Sequence, residues 1–200
     1  MSEEELLKRY NAAMVRGDIS TEEVFAAAAV IIEEAKKEGV EWALAGGLAL
    51  HLHGCPGVTQ NGVILGSVKL NRESKRKLAF GGESYSALVG EREIVIDFVV
   101  RNDVFQDFYV AALRDAQVTA DGWRVVTPEW MAILKFLAGR AEDQLDLLRL
   151  LKEPNLVDRD KVEWLLEEVM GKTGAQVALL GLQPFYAQAE ILRARDGEGQ

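Results

Sequence analysis

The sequence holds a single cysteine, Cys55, in 200 residues. No intrachain disulfide can form, and a zinc site built on several thiolates is excluded. A cytoplasmic, reducing compartment is expected. Basic residues are also in short supply: 23 Lys and Arg stand against 32 Asp and Glu, a formal net charge of −9. Coating DNA or RNA takes cations in excess, so nucleic acid is not expected as the main partner. No run of about 18 apolar residues occurs, and no membrane-spanning helix is expected. The longest apolar stretch, Val24 to Ile32, is rich in alanine and closes on Glu33-Glu34. The opening Met1-Ser2-Glu3-Glu4-Glu5 is acidic and has no apolar segment, so it does not read as a signal peptide.

What is present is ordinary globular composition, 48% hydrophobic and 28% charged, enough for one sizeable core. Glu3 to Arg16 reads as a first helix. Ser20 with Glu23 forms a capping box, and Val24, Ala27, Ala28, Ile31, Ile32 and Ala35 follow at helical spacing up to Gly39. Val40–Ala45 reads as a strand, Gly46-Gly47 as a turn, and Leu48–His53 as a helix. Val63–Leu70 reads as a second strand and Asn71–Phe80 as a polar, basic segment that starts helical. Ile94–Val100 is β-branched and bounded by charge, the clearest strand. Phe105–Arg114 is helical and Trp123–Val126 a last strand. Helices then follow over about Glu129–Ala138, Ala141–Lys152 and Arg159–Met170, with Thr127 and Asp158 as caps and Pro128 at a first helical position. Gly171–Gln200 reads as one or two short helices and a frayed tail.

This order predicts an α+β fold: a small mixed β-sheet flanked by helices, with a C-terminal helical extension. The expected division is N-terminal helices over 1–38, an α/β core over 39–127 and a helical region over 128–200.

The segment Glu41-Trp-Ala-Leu-Ala-Gly-Gly-Leu-Ala-Leu-His-Leu-His-Gly-Cys-Pro resembles the opening of the nucleotidyltransferase superfamily, the fold of DNA polymerase beta. It looks most like the small bacterial branch that includes the toxins of type IV toxin–antitoxin systems. The resemblance runs over roughly Glu41 to Leu151. It implies that Gly46-Gly47 is the nucleotide-binding turn and that Asp97 is the third carboxylate of the metal site. It also implies functional roles for Lys135 in Leu134–Arg140 and for Asp143 and Asp146 in Glu142–Asp146. Where the family carries Asp-x-Asp, this chain reads Thr59-Gln60-Asn61-Gly62-Val63, so Asn61 and Val63 stand at the metal positions.

Alternate residues of a strand share a face, so two aspartates there and a third on the next strand would gather hard oxygen ligands for Mg²⁺ and a nucleoside triphosphate. Val63 offers no donor, and Asn61 only a neutral amide oxygen. Asn61-Gly62 is also a hairpin signal, yet a strand starting at Val63 contains no acid either. Metal-dependent transfer is therefore expected to be lost. Backbone N–H groups after Gly46-Gly47 could still hold a phosphate without metal, or the glycines could serve close packing alone. Asp143 and Asp146, three apart, share a helix face with a choice between cleft and solvent. His51 and His53 diverge by about 200° on a helix and do not make a metal site with Cys55. The basic run Arg72–Lys77 reads as a solvated helix face, with contact to nucleic acid or an acidic partner as the alternative, and Trp42, Trp123, Trp130 and Trp164 read as core or interface anchors.

Two classes stay open. One is a non-catalytic module, a pseudoenzyme that binds a nucleotide or a protein partner. The other is an active nucleotidyltransferase with a rebuilt site using Mg²⁺ and a nucleoside triphosphate. A toxin–antitoxin-like pairing through the C-terminal helices lies between them.

Overall fold

The computed structural model describes residues 19–55 and 62–198. Helix α1 (Thr21–Lys37) starts on the expected capping box: the Glu23 N–H donates to Ser20 Oγ at 3.2 Å, and the Ser20 N–H donates to Glu23 Oε2 at 2.7 Å. Its six apolar positions, Val24 through Ala35 at helical spacing, are all buried. Strand β1 (Trp42–Ala45), helix α2 (Gly46–Leu52) and strand β2 (Gly62–Gly66) follow. Next come β3 (Arg76–Lys77), β4 (Glu83–Val89) and β5 (Arg92–Val99), then α3 (Gln106–Arg114), β6 (Gln117–Val118) and β7 (Arg124–Val125). The chain ends in α4 (Pro128–Ala138), α5 (Ala141–Lys152) and α6 (Arg159–Glu198).

All strands join one mixed sheet in the order β3-β4-β5-β2-β1-β7-β6. The β2–β5 and β1–β7 pairs are parallel and the rest antiparallel. Register sorts the side chains onto two faces. Gly62 pairs with Ile96, Ile64 with Phe98, and Tyr85 with Ile96, and α1 lies across this face on β4, β5 and β2. Tyr85, Ile94, Ile96 and Phe98 are accordingly inaccessible to solvent. Each such side chain contributes about 1.5–3 kcal/mol on burial. The opposite face carries the paired residues Arg76, Ser84, Asp97 and Val63.

The sheet is larger than expected. Ser84–Val89 was not anticipated as a strand, yet β4 and β5 form a hairpin across the two-residue turn Gly90-Glu91. Asn71–Phe80, expected to start helical, is instead loop and the edge strand β3. Its cations are drawn flat along the edge by acids: Arg72 pairs with Glu34 at 2.6 Å and Lys75 with Glu93 at 2.5 Å. The second strand ends at Gly66 rather than Leu70. The expected helix Glu3–Arg16 lies outside the described residues.

Thr127 caps α4 by accepting the Trp130 N–H at 3.4 Å, and Pro128 occupies the first helical position. Asp158 caps α6, accepting the Asp160 and Lys161 N–H groups. Helix α6 is interrupted at Gly171 (φ 72°, ψ 168°). Its two halves lie side by side, because Arg159 reaches Glu190 at 2.6 Å and stands 4.3 Å from the Tyr186 ring centre. The second half is one continuous helix to Glu198, where short helices and a frayed tail were expected. Of the four tryptophans, Trp42 and Trp130 are buried, Trp123 is half-buried and Trp164 is exposed.

Gly66 has no room for a side chain: a Cβ there would fall 1.9 Å from the Phe98 ring, which is itself fully buried. Gly66→Ala is therefore expected to destabilise the fold by about 1–3 kcal/mol through overpacking. The check is the urea midpoint, with the denaturant slope unchanged.

Candidate functional site

Two polar clusters hold the residues that the sequence singled out. The first lies on the sheet face opposite α1. Strand β2 delivers Val63 directly beside Asp97 of β5, and Ala45 pairs with Val63 from the other side. The next residue, Gly46, starts α2 with φ 57°, a conformation open to glycine at little cost. It is buried, and a Cβ on it would stand 3.0 Å from Val63 Cγ2. The Val63 isopropyl group thus packs on the glycine turn itself. Gly47 beside it is half-buried. Asn61 lies outside the described residues.

Among the described residues, Asp97 is partnered by Ser84 and Arg76. Ser84 Oγ donates to Asp97 Oδ1 at 2.5 Å, and Arg76 Nη2 stands 3.5 Å from the same oxygen. Arg76 Nε in turn donates to Ser84 Oγ at 3.0 Å. Ser84 is fully buried, whereas the Arg76 side chain is 61% exposed. An arginine from the edge strand therefore supplies positive charge beside the Asp97 carboxylate. Sequence reading missed Arg76 and Ser84 because it missed β4. The alternation of Ser84-Tyr85-Ser86-Ala87 before a Gly-Glu turn is the signal that marks the strand.

The second cluster lies between α4 and α5. Lys135 Nζ donates to Asp143 Oδ1 at 2.8 Å and to Asp146 Oδ2 at 2.7 Å. Arg140 Nε donates to Asp143 Oδ2 at 2.6 Å, and Arg149 Nη1 stands 3.3 Å from Asp146 Oδ1. Asp143 is 2% exposed and Lys135 13%, so this is an interior ion network and not a solvated helix decoration. Lys135 takes both its ion pairs from α5, and Asp97 takes its partners from β3 and β4. The structure thus brings Lys135, Asp143 and Asp146 together, and separately brings Gly46, Val63 and Asp97 together.

Tyr109 lies on α3, beside Arg101 just past the end of β5. The Arg101 guanidinium lies 4.9 Å from its ring centre, 5.1 Å from Phe80 and 5.5 Å from Phe105, and is held by Asp103 at 2.6 Å. Burial pushes the Tyr109 hydroxyl up, with the Asp143 charge adding to this and the charges of Arg101 and Arg140 opposing it.

His53 Nε2 lies 2.7 Å from the Val126 carbonyl and serves as its donor, while the His51 ring meets Phe25 edge-on. Burial raises the Cys55 thiol to about 11, which leaves it protonated and unreactive at neutral pH. Among the described residues, no group of three His, Cys, Asp or Glu side chains is placed to hold a metal ion. Among them, too, no helix is long and apolar enough to cross a membrane. No protein-family model matches the chain, and no curated protein matches it.

Burial alone would raise the Asp143 carboxyl, but Arg140 and Lys135 overcome it and hold it below the usual carboxylate range. For Lys135, burial opposes the charge, and Asp146 with Asp143 outweighs it, so the ammonium is held above its ordinary value. A carboxyl depressed on folding stabilises the protein above its unfolded pKa, and that contribution is lost as pH falls through the folded value. Lys135→Met leaves buried carboxylate short of its counter-ion and is expected to cost about 3 kcal/mol near neutral pH. The cost should shrink at about pH 3, where carboxyl groups take up protons. Urea unfolding of both proteins at the two pH values checks this, and equal stability at neutral pH would refute it.

Proposed function

We propose that this protein is a non-catalytic module on a nucleotidyltransferase-like scaffold, one that binds a partner protein or a nucleotide without metal. The observation that carries the reading is the state of Asp97. A divalent cation needs several hard oxygen ligands on one face. Asp97 instead has Val63 as its cross-strand neighbour, Ser84 as its donor and Arg76 as its cation. A guanidinium beside a carboxylate disfavours a second cation at the same oxygens, because like charges in a partly buried site repel. Val63 adds an apolar surface at the glycine turn, where a triphosphate would need polar contacts.

Strand and helix order supports the scaffold half of the proposal. A strand passes through a Gly-Gly turn into a short helix, and the next strand runs parallel to the one bearing Asp97. The lysine and the paired aspartates follow on successive helices, α4 and α5, as the resemblance implies. Their mutual neutralisation suits a folding role. Lys135 has both carboxylates within 2.8 Å and little exposure with which to reach a substrate.

Thermal unfolding against ATP, GTP, CTP and UTP, each with and without Mg²⁺, tests the reading. A ligand at 100 times its dissociation constant stabilises by about 2.7 kcal/mol. About 2–4 °C accompanies each kcal/mol in a chain of this size. The expected result is no Mg²⁺-dependent shift, and no incorporation of labelled nucleotide into protein or RNA acceptors. A shift that requires Mg²⁺, with incorporation abolished by Asp97→Asn, would overturn the proposal in favour of a working transferase.

A further inference from the structure

Helix α6 changes direction at one residue. Gly171 has φ 72° and ψ 168°, and helix continues on both sides of it. That backbone conformation is open essentially to glycine alone. Packing does not impose it: a Cβ on Gly171 would have nothing within 4 Å, and Met170, Lys172 and Thr173 beside it are exposed. Beyond the break, the second half of α6 is held by contacts that fix its register. Gly181 sits against the Phe136 ring of α4, where a Cβ would fall 2.7 Å from Cζ, and Phe185 meets the same ring edge-on. Arg193 Nε donates to the Lys152 carbonyl and Nη2 to the Leu151 carbonyl, both at 2.8 Å. These carbonyls end α5, where a helix leaves such groups without partners of its own. Glu190 reaches Arg159, and Asp196 pairs with Lys152. Ala175, Ala178, Leu182 and Ala189 are buried along the way. None of these contacts involves residues 170–173.

We propose that Gly171 is a hinge between two states of this protein. In one, the second half of α6 folds back on its own chain, as here. In the other, the hinge is helical and two copies exchange their second halves. The occupant is identified by the groove it already fills: α4, α5 and the first half of α6 accept this segment, and every copy carries both parts. The same contacts form in either state, so they cancel in the comparison. What remains is the hinge itself and the freedom lost when two chains associate. A break in a helix leaves N–H and C=O groups without helical partners, and a helical hinge restores them. Short strained hinges favour exchange between copies for this reason. Charge does not oppose it, since Gly174 to Ala189 carries no charged residue in a chain of net charge −9. The inference is independent of the sheet face and of whether nucleotide binds there.

The test is sedimentation velocity on the full chain. The unaltered protein is expected to be monomeric at micromolar concentration and to give a dimer when refolded from urea at near-millimolar concentration. Gly171→Ala disfavours the folded-back state and favours the helical hinge. Its dissociation constant should fall by at least about a hundredfold, because each dimer contains two hinges. Exchange is read from Arg159→Cys combined with Glu190→Cys, two exposed positions, linked by a short bifunctional thiol reagent with the buried Cys55 silent. The link should stay within one chain in the monomer and join two chains in the dimer. Gly-Ser-Gly inserted after Gly171 lets the helix fold back without strain and should remove the dimer, a comparison that holds even if the alanine variant fails to fold. No dimer after concentrated refolding, a folded Gly171→Ala protein no more dimeric than the unaltered one, or a dimer that the insertion leaves intact would each overturn the proposal. So would a dimer whose links remain within single chains.

Discussion

The parallel pairing of β2 with β5 fixes the character of the whole polar face. Once Gly62 stands opposite Ile96, Val63 must stand opposite Asp97, because neighbouring residues of a strand point to opposite sides. The requirement on the other side is strict. A Cβ at Gly62 would lie 2.6 Å from Ile96 Cδ1 and 3.3 Å from Val24 Cγ1, so the glycine lets α1 settle onto the sheet. A slip of one residue would place Val63 beneath α1 and turn Ile64, now fully buried, toward the polar face. Core packing thus dictates which residue meets Asp97, and the chemistry of that meeting is a consequence.

The two clusters handle charge in different ways. At Asp97, one carboxylate is balanced by an exposed guanidinium and a buried hydroxyl, and solvent weakens the ion pair. Between α4 and α5, the two carboxylates and the ammonium are more deeply buried and the charges are matched more fully: Asp143 and Asp146 face Lys135 and the guanidinium groups of Arg149 and the solvent-exposed Arg140. Desolvating such groups costs several kcal/mol per ion, and their attraction offsets that only when every lone pair and proton is engaged. The network comes close, with Asp143 contacted at both oxygens by Arg140 and Lys135. Its value lies in fixing how α5 sits on α4, since Lys135 of α4 holds both Asp143 and Asp146 of α5.

Much of the helical architecture was legible in the sequence because its signals are local. The Ser20–Glu23 box, the Thr127-Pro128 start and the stop after Lys152 are each written within a few residues. The β5 run is equally plain. The β4 strand was not legible as easily: Ser84 and Ser86 alternate with Tyr85 and Ala87, and the serines masked the apolar period. Missing β4 concealed both partners of Asp97, since Ser84 belongs to it and Arg76 reaches Asp97 across it. The basic run failed for a different reason. Arg72–Lys77 has the composition of a helix surface, but acids from α1 and β5 hold it along the sheet edge. Long-range pairing of that kind has no local signature. The ion network was half visible, as Asp143 and Asp146 share a face by spacing, while their burial depends on how two helices meet.

Charge also links the sheet face to the C-terminal helix. The acidic excess is spread over most of the chain, and basic side chains are repeatedly engaged by neighbouring acids: Arg72 by Glu34, Lys75 by Glu93, Arg76 by Asp97. Each of these three cations already has a carboxylate beside it. The uncharged stretch of α6 behaves oppositely. Having no charge to desolvate, it loses little on leaving water and gains in proportion to the apolar area covered. In a strongly acidic molecule, a surface of that kind is the one that leaves water at least cost.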